Sequence, residues 1–112
     1  MQQIQPHQLA EWLEPHGRES GDTRPPLVLD VREDWEVQIC RIRGSLHVPM
    51  RQIVERLDEI DRSRPIVCVC HHGMRSSQVG MFLQQRGATQ IYNLAGGIDA
   101  WARQVDPACA LY

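Results

Sequence analysis

The chain has 112 residues, 42% of them hydrophobic, and its 12 basic and 14 acidic residues leave a net charge of −2. That length suits one domain spanning residues 1–112 with an ordinary packed core, and the charge balance makes no electrostatic case for a nucleic-acid or membrane partner. No apolar run approaches the roughly 18 residues of a membrane span, and Met1-Gln2-Gln3-Ile4 does not open a signal peptide, so a cytoplasmic location is expected. In that reducing setting Cys40, Cys68, Cys70 and Cys109 are free thiols, metal ligands or a catalytic thiol, rather than two disulfides.

A short extended start leads to Pro6, which suits the first turn of a helix. Leu9, Trp12 and Leu13 recur at helical spacing, and Pro15 and Gly17 stop the pattern. Residues 17–26 (GRESGDTRPP) form the one linker-like stretch, too short to divide domains and expected to be a surface loop. The apolar run 27–31 (LVLDV) predicts a strand buried on both faces. Asp30, Arg32, Glu33, Asp34 and Glu36 then mark a polar strand exit and a short solvated helix, with Arg32 paired to a carboxylate. A shorter strand is expected at 45–49, entered through Gly44 and closed by Pro49. Ile53, Leu57 and Ile60 predict one face of a helix after it.

Pro65 introduces the strand 66–70 (IVCVC), followed by a helix over about 75–86. Val79, Phe82 and Leu83 form the apolar stripe of that helix, and Gly87 follows as a C-terminal cap. Residues 90–94 (QIYNL) read as another strand, and Gly96-Gly97 turns into a last helix holding Ile98 and Trp101. Strands alternating with helices predict an α/β fold with a central, mainly parallel five-stranded sheet and helices on both faces. Sites in such sheets form where loops leave the carboxyl ends of strands. Three loops should share that edge: 30–36, 70–75 and 94–97.

The middle loop carries the chemistry. Cys68 lies inside its strand and reads as core filler. A Cys68–Cys70 bridge would join positions i and i+2 of one strand, which suits disulfide geometry poorly. Cys40 and Cys109 are expected to be bystanders at element ends. Cys70 stands at a strand's carboxyl end, facing the first amides of a helix. A free thiol titrates near pH 8.5, and lowering that by two units takes about 2.7 kcal/mol. A helix N-terminus contributes roughly 0.3–2 kcal/mol, so converging loop amides and Arg75 are needed for the rest. Gly73 allows the turn that points those amides inward. Cys68, Cys70, His71 and His72 are zinc or copper ligand types, but they are nearly contiguous, whereas structural sites usually draw pairs from two segments. His71 and His72 either line a substrate mouth or are solvated.

The sequence resembles the single-domain rhodaneses, a sulfurtransferase family, over nearly its whole length. Leu29-Asp30-Val31-Arg32, Glu36 and Ile42-Arg43-Gly44-Ser45 through Val48-Pro49 are similar to that family's N-terminal signature. Cys70-His71-His72-Gly73-Met74-Arg75-Ser76 is similar to its active-site loop. Asn93-Leu94-Ala95-Gly96-Gly97 through Trp101 is similar to its C-terminal signature. Cys40-Arg41 and Arg43 depart from the usual pattern, away from the loop.

The resemblance implies that Cys70 takes a sulfane sulfur from a small anionic donor such as thiosulfate. It then holds a persulfide and passes the sulfur to cyanide, a thiol or an acceptor protein. Amides from His71, His72, Gly73, Met74, Arg75 and Ser76 would bind the anionic sulfur, with Arg75 stabilising charge. Neither cofactor nor metal is called for. A sulfur carrier or regulatory module with little turnover is the alternative from another class. A phosphatase or arsenate reductase is disfavoured by loop length. Related cysteine-based phosphatases use Cys-x5-Arg around a tetrahedral phosphate, and here the spacing is Cys70-x4-Arg75.

Overall fold

The structure, a computed structural model, describes residues 1–14 and 25–112. Five strands, β1 Gln2–Ile4, β2 Leu27–Asp30, β3 Leu46–His47, β4 Ile66–Val69 and β5 Ile91–Leu94, form one sheet in the order β1-β5-β4-β2-β3. Every neighbouring pair is parallel. Among the described residues the α-helices are α1 Pro6–Leu13, α2 Asp34–Ile39, α3 Met74–Gln85 and α4 Gly97–Gln104. The expected α/β architecture is therefore present. The stop at Pro15 and Gly17 and most of the loop 17–26 lie outside the described residues, and α1 ends at Leu13.

Alternation along the strands sorts the core into two clusters, because successive side chains of a strand point to opposite faces. Ile66, Cys68 and Cys70 join Leu29, Ile91, Val79 and Leu83 on the α3 face. Val67 and Val69 join Leu9, Leu94, Ile98 and Trp101 on the face covered by α1 and α4. Cys68 is fully buried, and burial pushes its thiol up to about 12. It packs as the sequence suggested. Gly80 lets α3 lie close to the sheet, since a Cβ there would meet Ile91 and approach Cys68.

Three expectations need correction. The segment with Ile53, Leu57 and Ile60 forms two 3-10 turns, Met50–Gln52 and Leu57–Glu59, in place of an α-helix. Its apolar side chains still pack on the core, but β-branched Ile53 and Val54 disfavour a continued helix and Arg56 leaves helical geometry at φ −106°, ψ 19°. The polar exit after β2 is solvated only in part: Asp30, Arg32 and Glu36 are buried, whereas Glu33 is partly exposed and Asp34 is exposed. Cys40 and Cys109 are not bystanders, because they form a disulfide with their Cα atoms 5.2 Å apart. They are 69 residues apart in sequence, so only the approach of the segment after α4 to the end of α2 reveals the pair.

Arg32 does pair with a carboxylate, and the pair is completely enclosed. Its Nε and Nη2 donate to the Asp30 carboxylate at 2.9 and 2.7 Å. Its remaining N–H groups reach the Glu36 and Cys40 carbonyls and the Tyr112 hydroxyl. Every guanidinium donor thus has an acceptor, which is the condition for burying a charge at tolerable cost.

Candidate active site

The loops after β2, β4 and β5 meet at the carboxyl edge of the sheet, as parallel topology requires. Cys70 directly follows β4 and is 1% exposed, so its sulfur forms the floor of the site. Gly73 takes φ 112° at the N-cap of α3, a left-handed conformation that turns its amide back onto the sulfur. The Gly73 N–H donates to Cys70 Sγ at 3.0 Å, and Ser76 Oγ lies 3.3 Å from the same atom.

A polar chain supports that contact from below. Asn93 Nδ2 donates to the Gly73 carbonyl and to Gln3 Oε1, which orients the amide so that Oδ1 accepts from the Ser76 hydroxyl. Ser76 thus stands between Asn93 and the sulfur, linking β1, β5, α3 and the loop. Neither Asn93 nor Gln3 was singled out from the sequence as a site residue. The available signal was one polar residue at an inward position of an apolar strand.

The start of α4 closes the other side. The Ile98 and Asp99 amides donate to the Cys70 and His71 carbonyls at 2.8 and 3.2 Å. A Cβ on Gly97 would run into those two carbonyl oxygens, so close backbone approach requires glycine there, while Gly96 takes φ 73° and faces the Ala100 side chain. The loop is held by main-chain contacts on one side and by the Asn93–Ser76 chain on the other.

At the mouth, Cys70, His71, His72, Met74 and Arg75 line a cavity of about 230 Å³. Met74 and His72 are exposed, Arg75 and His71 partly so, and Ser76 is buried. His71 is stacked between His72 and Tyr112, with ring centroids 4.0 Å away on each side. Burial, and next His72, lowers its pKa against the opposing pull of Asp99 and Glu36. Arg75 forks the Glu36 carboxylate with Nη1 and Nη2 at 2.7 and 2.8 Å. That fork, helped by the Glu33 amide and the Tyr112 hydroxyl, holds the Glu36 carboxyl at about 2 despite burial. Glu36 and Tyr112 are site residues that the sequence did not reveal as such. Glu36 lay within a recognised motif without a known partner, and Tyr112 had no local signal.

His71, His72 and Asp99 bring ligand atoms within 4.8 Å of one another. A metal ion lies in the plane of the imidazole that binds it, and the two histidine rings are stacked only 29° from parallel. Asp99 is moreover engaged by Arg103 at 3.0 Å. The set does not converge on one ion without turning a ring.

Residues 9–104 match the family model of the Rhodanese-like domain. The chain belongs to the rhodanese family. A relative named "Sulfurtransferase" from Allochromatium vinosum is 39% identical over 90 residues, covering 80% of this chain and 84% of that one. The thiosulfate sulfurtransferase GlpE of Actinobacillus pleuropneumoniae serotype 3 is 27% identical over 110 residues, 98% of this chain and 94% of its own. A rhodanese-like domain protein from Staphylococcus aureus has the same fold at TM-score 0.80 and 28% identity, covering 100% of this chain and 99% of that one. This kinship supports a sulfurtransferase-type enzyme. Among the described residues no helix is long and apolar enough to cross a membrane.

Proposed function

We propose that this rhodanese moves a sulfane sulfur through a persulfide on Cys70, from an anionic donor such as thiosulfate to cyanide or a thiol. The observation that carries this reading is the sulfur of Cys70 on the floor of a loop that aims the Gly73 N–H at it from 3.0 Å. In the first half-reaction the Cys70 thiolate attacks the outer sulfur of thiosulfate. The sulfur–sulfur bond of the donor breaks and sulfite leaves with its electron pair. In the second, cyanide or an acceptor thiolate attacks the outer persulfide sulfur, and the Cys70 thiolate is the leaving group.

The terminal sulfur of the persulfide stays anionic and lies toward the loop amides, which act as an oxyanion hole acts on oxygen. Arg75 shares its charge with Glu36 and stands at the mouth, where a doubly charged donor arrives and sulfite departs. His71, held by stacked rings, shapes that entrance, while exposed His72 and Met74 form its outer rim. The cytosol is part of the same proposal; there the Cys40–Cys109 pair would exchange with cellular thiols.

Incubation with thiosulfate followed by intact-mass measurement tests the first step. A one-sulfur adduct that maps to Cys70 is expected, and its absence would count heavily against the reading. Cys70→Ser should abolish thiocyanate formation from thiosulfate and cyanide. Multiple turnover with these small molecules alone would exclude an obligate relay that needs a partner protein. Hydrolysis of an aryl phosphate that is lost in Cys70→Ser would overturn the assignment in favour of a phosphatase.

A further inference from the structure

The chain beyond α4 forms neither helix nor strand, yet its last residue lies against the active site. A turn at Asp106, closed by the Cys109 amide, brings Cys109 into the core, where it bonds to Cys40 at the end of α2. Ala110 and Leu111 are exposed. Tyr112 then folds back. Its hydroxyl accepts from Arg32 Nη1 at 3.0 Å and donates to Glu36 Oε1 at 2.9 Å. Its ring lies on His71 with the planes 9° apart, and the edge of Trp35 closes the other flank.

We propose that Tyr112 is a positioning residue for the Cys70 loop, held between Glu36 and His71 by a strap that the Cys40–Cys109 disulfide pins. Two sets of contacts carry the argument. The hydroxyl joins the enclosed Arg32 cluster to Glu36, the carboxylate that Arg75 grips, and so limits where the Arg75 head can stand. The ring covers His71, whose Nε2 is buried with no hydrogen-bond partner. An imidazole nitrogen in that state turns toward water unless something holds the ring, and Tyr112 is one of the two rings of the stack that do so. The strap has few other anchors: after Cys109 it passes through two exposed residues before it reaches Tyr112. Release at Cys109 therefore leaves Tyr112 held by its own contacts alone.

The consequence for donor choice rests on the proposed sulfur transfer, but the clamp is testable without it. The probes are iodoacetate and iodoacetamide, of similar size and different charge, with Cys70 alkylation mapped by peptide mass. Tyr112→Ala and Cys109→Ser are each expected to lower the iodoacetate-to-iodoacetamide rate ratio about threefold or more. The double variant should go no further than Tyr112→Ala alone, because both act along one path. Tyr112→Phe keeps the stack and should lose less than Tyr112→Ala.

If Tyr112 merely covers the loop, both rates change by the same factor and the proposal fails. An unchanged ratio in Cys109→Ser, or four free thiols in the unfolded wild-type protein where two are expected, overturns the pin. Should Tyr112→Ala not fold, Tyr112→Phe and Cys109→Ser decide. A responsive ratio in a protein that forms no thiocyanate would sink the sulfur-transfer reading and leave the clamp standing. Turnover with an unresponsive ratio would do the reverse.

Discussion

Arg32 with Asp30 and Arg75 with Glu36 are the same chemical pair at two depths. Both are two-pronged arginine–carboxylate forks with contacts of 2.7–2.9 Å. The Arg32 side chain is 0% exposed and has an acceptor for every donor, whereas that of Arg75 is 36% exposed at the mouth of the cavity. Burial and saturation thus separate a staple from the group proposed to meet the donor anion. Arg32 ties the exit of β2 to both α2 and Tyr112, and nothing from solvent can reach it. Arg75 keeps one side toward the place where an anion would enter. A pair buried on both sides is costly to break, because removing one partner strands the other charge; where the arginine is partly exposed, water replaces part of what is lost.

The largest effect should come from breaking the enclosed pair. Arg32→Met removes the counter-charge of the buried Asp30 and leaves it only the backbone N–H of position 32, and urea unfolding should show a loss of about 3–5 kcal/mol. Next comes the strap: Cys109→Ser should lower stability by about 2–4 kcal/mol, and a reductant should shift the wild-type melting temperature but not the variant's.

Acid titration probes the Arg75–Glu36 pair directly. Glu36 has a folded pKa of about 2 against an ordinary 4.5, so its contribution is complete above 4.5 and is lost as pH falls toward 2. That contribution is on the order of 3 kcal/mol, and Glu36→Gln should flatten the stability curve across this window. His71, lowered from 6.5, adds a gentler loss that begins as pH falls below that value. The smallest stability effect belongs to Arg75→Lys, which keeps the charge and loses the fork. Unfolding should move by less than about 1 kcal/mol, while thiocyanate formation falls about tenfold. Equal losses of stability in Arg32→Met and Arg75→Lys would remove the distinction between staple and binding group.

Much of the site could be read along the chain because its parts are local. The run from Ile66 to Ser76 holds a strand, a turn and a helix start, and the period of two already separates Val67 and Val69 from Cys68 and Cys70. The Gly96-Gly97 turn is local too, although the reason for Gly97, the approach of the Cys70 and His71 carbonyls, appears only in three dimensions. The error at Ile53, Leu57 and Ile60 has a related cause. Apolar spacing reports which side chains face inward, and a pair of 3-10 turns can satisfy it as well as an α-helix.

Apart from the two 3-10 turns after β3, the sequence by itself determined the order of strands and helices, the parallel sheet that follows from their alternation, and a cysteine at the carboxyl edge before a helix. Periodicity and turn residues encode those features, and both act over a few positions. Tertiary structure alone decided that Glu36 takes the head of Arg75 and that Asn93 orients Ser76. It alone decided that Cys40 meets Cys109 and that Tyr112 lies on His71. These partners are 17 to 76 residues from the groups they hold, in pairs such as Ser76 with Asn93 and Tyr112 with Glu36. A hydrogen bond or disulfide depends on tenths of an ångström between segments that meet only when the sheet is closed by its helices, and no local pattern carries that distance.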